Sequence, residues 1–281
     1  MPENLNAEQL KKLLTDPEGA VDLSDEQLDE ALHALIGLSG SMADPTLLEQ
    51  LKPLYRHAVT RLHPAMRLRN YQTMVDRVID GAMNARSLLP YMVCDDDRTL
   101  VSMATLDYAL LAPEKEDAPT AAAEFLLDAY QHGAFANGPA VLAGLLLSGD
   151  RRLLVLLAPI CRSLPCEDVE EMIQCQGSFL MAAVVEFYLD WLEQLDSLVE
   201  EDLFGAVAAG LANLVLGEHD GIVYDIERVI PSTRENAVQL IGQWTLAEYA
   251  AIIAPRMQEL ADKEQGEAIM PEVLSIWLTG G

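Results

Sequence analysis

Apolar residues recur along this chain at the spacing of one helical face. Leu28, Leu32, Leu35 and Ile36 follow Ser24 and Gln27, a pair at capping-box spacing, so the first well-marked helix begins there. Asp44-Pro45 sets a capping side chain before a proline at the first helical position, and Leu48, Leu51, Tyr55, Val59 and Leu62 carry the pattern towards Pro64. A further helix is predicted from Leu68 to Arg86, and Asp97 is placed to cap another that ends before Pro113. Pro119 opens a helix closed by Gly133, Gly138-Pro139 opens one closed by Gly149, and Asp150 caps the next. Ser178–Leu195, Glu200–Leu216, Gly221–Ile230, Ser232–Gln243 and Thr245–Lys263 continue the series, with Ser232 and Glu235 as a second capping box. No run shows the period-2 alternation of half-buried strands, so the expected fold class is all-α.

Pro113-Glu114-Lys115-Glu116-Asp117-Ala118-Pro119 mixes charge and proline as linkers do. The expected organisation is therefore an N-terminal helical subdomain (1–112), a linker (113–119) and an acidic helical subdomain (120–281). At 281 residues the chain exceeds one ordinary compact core, which fits two parts or an array of repeats.

Ala143-Gly144-Leu145-Leu146-Leu147-Ser148-Gly149-Asp150-Arg151-Arg152-Leu153-Leu154 resembles the inter-helix turn of HEAT-type repeats, in which Gly-Asp-x-Arg joins two apolar helices. Ala209 to Glu218 is similar but lacks the arginine, and no period of ~40 residues runs through the chain. The resemblance covers roughly residues 119–217 and implies antiparallel hairpins stacked as an irregular HEAT-like α-solenoid; a two-part helical bundle is the other arrangement. By analogy it implies a surface that binds another macromolecule.

Charge narrows the functions available. With 45 acidic and 18 basic residues the net charge is −27, which repels nucleic-acid backbones and anionic membrane surfaces. The opening Met1-Pro2-Glu3-Asn4-Leu5 has neither a basic nor an apolar leader region, no apolar run reaches the ~20 residues that cross a bilayer, and four scattered cysteines suggest no disulfide framework. A cytoplasmic protein is expected.

The charges are also segregated. Between Lys52 and Arg86 lie seven basic residues, whereas Ser163–Glu227 holds fifteen acidic residues and neither Lys nor Arg. In the predicted Ser178–Leu195 helix, Glu186, Asp190 and Glu193 share one face while Val184, Tyr188, Trp191 and Leu195 occupy another. The stripe reads either as a solvated face or, with Glu200, Glu201 and Asp202, as a surface that steers a basic protein partner. Glu167, Asp168, Glu170 and Glu171 belong to the same acidic region. In the basic segment Lys52, Arg56 and Arg67 are candidate anion-binding residues, against the plainer expectation that they pair with acidic helices.

No catalytic or metal-binding pattern emerges, and no cofactor is implied. Cys94-Asp95-Asp96-Asp97 and Glu218-His219-Asp220, with Asp225 and Glu227, lack metal-ligand spacing, and the Asp run reads as a helix cap. Cys161, Cys166 and Cys175 flank acidic residues, which disfavours a thiolate. His33, His57, His63, His132 and His219 lie in no nucleophile or phosphate-loop context. The expectation is a non-catalytic interaction module for a basic protein, of adaptor, inhibitor or immunity type. Its rival is a helical-bundle enzyme using inter-helix carboxylates such as Glu186, Asp190 or Glu218, with metal-assisted hydrolysis as one version.

Overall fold

A computed structural model of the chain describes residues 7–41, 45–111, 118–176, 180–196, 199–217, 220–225 and 242–263. These residues are mostly helical, and the chain divides into two compact units, Met1–Val141 and Leu142–Gly281. Within the expected linker, residues 113–117 lie outside the described residues and Ala118-Pro119 already open a helix.

Unit 1 contains α1 (Ala7–Thr15), α2 (Asp25–Ser41), α3 (Pro45–Arg61), α4 (Pro64–Ile79), α5 (Leu89–Cys94), α6 (Arg98–Leu111) and α7 (Ala118–Gln131), with 3₁₀ turns at Pro17–Asp22 and Ala85–Leu88. The caps predicted at Ser24 and Asp97 form, whereas Asp44, predicted to cap α3, lies outside the described residues. Ser24 and Gln27 satisfy each other's backbone N–H groups at 3.0 and 3.2 Å, and the Asp97 carboxylate accepts from the Leu100 N–H at 3.0 Å. His63 caps α4 by accepting from the Ala65 N–H at 3.2 Å. The helix expected over Leu68–Arg86 starts earlier, at Pro64, and stops at Ile79, because Gly81 turns the chain at φ 71 and the chain resumes as a 3₁₀ turn. Leu28, Leu32, Leu35 and Ile36 of α2 are buried with Leu51, Leu54 and Tyr55 of α3, Tyr71 and Met74 of α4, and Tyr91 of α5.

α8 (Gly138–Leu147) leads into unit 2, where α9 (Arg151–Arg162), α10 (Cys166–Gln174), α11 (Ala182–Gln194), α12 (Glu201–Leu216) and α13 (Leu246–Lys263) are joined by a small sheet. Gly149 makes the turn before α9 at φ 67, and Asp150 accepts from the Arg152 N–H at 2.9 Å to cap it. α11 is the central helix: α9, α12 and α13 all pack on it, and Ala182–Val185, Phe187–Leu189, Trp191 and Leu192 are buried. A helix apolar on nearly all sides must be enclosed in this way.

A small three-stranded sheet accompanies the helices, and the mostly helical chain keeps to the all-α class. β1 (Leu180–Met181) runs parallel to β2 (Ile222–Asp225), and β2 is antiparallel to β3 (Gly242–Thr245), with Val223 opposite both Leu180 and Trp244. A helix was expected over Gly221–Ile230, yet Ile222-Val223-Tyr224 are β-branched and aromatic and find a partner strand on either side. Residues 226–241, with the expected Ser232 and Glu235 capping box, lie outside the described residues, and Gly242-Gln243 belong to β3 rather than to a helix. No helix among the described residues is long and apolar enough to cross a membrane.

Candidate partner-binding surface

The acidic stripe of α11 lies in the seam between two neighbouring helices, and each of its carboxylates meets an arginine. Arg151, at the start of α9, reaches the Glu186 carboxylate with both terminal nitrogens, and the Tyr249 hydroxyl of α13 donates to Glu186 Oε1 at 2.9 Å. One turn and two turns on, Arg256 of α13 spans Asp190 at 2.7 Å and Glu193 at 2.9 Å. Burial alone would raise the Glu186 carboxyl. Donation from Arg151 and Tyr249 and the charges of Arg151 and Arg256 outweigh it, so Glu186 ionises below the ordinary glutamate range. That is the reverse of what an acid or base catalyst working near neutral pH requires.

The other predicted partner-binding residues, Glu200, Glu201 and Asp202, lie at the start of α12 and are exposed. α12 packs against α10, and the Cys166 thiol lies 3.6 Å from the Asp202 carbonyl oxygen, so the two helices begin side by side. Exposed Glu167 and Glu170 of α10 join the same corner. The local field registers on Cys166, whose thiol is raised by slight burial and by the charges of Glu170, Asp202 and Glu167. Glu167, Asp168, Glu201 and Asp202 also sit in first helical turns, where the macrodipole favours negative charge. Thus the structure parts the six predicted residues into an arginine-paired ladder (Glu186, Asp190, Glu193) and an open corner (Glu200, Glu201, Asp202).

The candidate anion-binding residues do not come together as a site. Lys52 and Arg56 lie one turn apart on α3, and Lys52 pairs with Glu49 at 2.6 Å. Arg67 is only 3% exposed, and its five N–H donors are taken by Asp95, Asp96 and the carbonyl oxygens of Val59 and Leu62. It is therefore closed to an external anion. Asp95, which looked like part of a Cys-Asp-Asp-Asp metal candidate, is fully buried and also accepts from the Tyr55 hydroxyl at 2.7 Å and the Asp97 N–H at 2.9 Å.

Among the described residues no group of three His, Cys, Asp or Glu side chains is arranged to hold a metal ion. Glu218, His219 and Glu227 lie outside the described residues. Burial pushes the Cys94 and Cys161 thiols up to about 12, which leaves both as packing groups. The sequence reading missed Arg151, Tyr249 and Arg256 as partners of the stripe. A signal existed: Tyr249 and Arg256 are seven apart on one face of α13, the same step that separates Glu186 from Glu193. Comparisons of the chain with protein-family models, curated proteins and solved structures return no match.

Proposed function

We propose that the protein is a non-catalytic interaction module that docks a basic protein through the corner where α10 and α12 begin. The observation that carries this reading is the convergence of Glu167, Glu170, Glu200, Glu201 and Asp202, all exposed, within a segment that holds no Lys or Arg. Unscreened carboxylates on a protein of net charge −27 attract cationic partners over several ångströms and speed their encounter. The ladder on α11 plays a different part: its arginines hold α9 and α13 to the central helix, so the corner stands on a braced support. The four cysteines are free, in keeping with a cytoplasmic setting, and the Gly149 turn with its Asp150 cap supports a HEAT-like helical scaffold.

The test is recovery of bound proteins from the native organism at low and at moderate salt, using the wild type and a Glu167→Gln, Glu170→Gln, Glu200→Gln, Glu201→Gln variant. A partner captured at low salt, released by moderate salt and lost by the variant supports the reading. Undiminished capture by a variant whose circular dichroism is unchanged refutes it.

A further inference from the structure

No further inference is drawn: the strongest candidate, the groove between α9 and α11 with the exposed Val155 and Leu156 beside it, is an unpartnered apolar face, and nothing in the structure shows what covers it.

Discussion

Arg67 in unit 1 and Arg151 in unit 2 each tie two helices together through a carboxylate, but in opposite surroundings. Arg67 and Asp95 are 3% and 0% exposed in their side chains, and the Tyr55 hydroxyl, the backbone carbonyls of Val59 and Leu62 and the Asp97 N–H complete the junction. Arg151 and Glu186 are 40% and 27% exposed, and water shares their solvation. With 18 basic residues against 45 acidic ones, cations are the scarce component. Where an arginine reaches, carboxylates become fastenings; where none reaches, as at the start of α10 and α12, they remain a field. The comparison teaches that in this chain the placement of arginines decides which acidic residues are structural.

The largest expected effect comes from breaking the sealed junction. Arg67→Ala leaves Asp95 buried without a counter-charge and strands the carbonyl oxygens of Val59 and Leu62, a change that costs about 3–5 kcal/mol. Arg67→Lys recovers only part of this, because an ammonium cannot reproduce the planar fork. Trp191 and Trp244 belong to the second unit and residues 1–141 hold no tryptophan, so tryptophan fluorescence does not follow unit 1 while far-ultraviolet dichroism follows both units. In urea, Arg67→Ala should lower the dichroism midpoint while leaving the fluorescence transition in place. A loss under about 1 kcal/mol would mean that the junction is wetter than its burial states.

How far these junctions could be read from sequence follows from the range of the forces involved. Caps at Ser24, Asp97 and Asp150 act within three residues, and the sequence alone placed each of them. The partners of Glu186 are 35 residues before it and 63 after it, so composition marked the stripe without showing that it was paired. β2 was misread for the same reason: Ile222–Asp225 has β-favouring side chains, but what fixes it as a strand is pairing with Leu180 and Trp244, both distant in the chain. Arg67 carried an ordinary basic-segment signal. Only the meeting of α3, α4 and α5 turned it inward.

A middle-sized effect tests the sign of the electrostatics. The Glu186 carboxyl sits below its ordinary range in the folded chain, so its pairing stabilises above the unfolded carboxylate value of about 4.3 and is lost as pH falls through the folded value. Glu186→Gln should cost about 1 kcal/mol at neutral pH, discounted for exposure, and flatten the acid limb of the fluorescence-detected stability curve. Asp107 in unit 1 has the opposite sign: burial raises it, against donation from Tyr71. Its contribution improves as pH falls from above the folded value towards the unfolded one. Asp107→Asn should therefore remove a stabilising trend on mild acidification that the wild type shows by dichroism. If both variants shifted the pH curve in the same direction, the contrast between the junctions would not hold.

The smallest expected effect is at the outer end of the ladder. Arg256 is 33% exposed, Asp190 58% and Glu193 38%, so both pairs are largely solvated and the side chains give up rotamer freedom to form them. Arg256→Ala should cost at most about 1 kcal/mol, and most of that difference should vanish in high salt, where exposed pairs are screened within about a Debye length. The same substitution uncovers two carboxylates and extends the negative surface along α11, so a basic partner should associate with the variant at least as fast as with the wild type. A cost as large as that of Arg67→Ala, insensitive to salt, would make the ladder a second sealed junction. The line drawn here between fastening and field would then have to move outward, to leave the α10–α12 corner alone as the charged surface of unit 2.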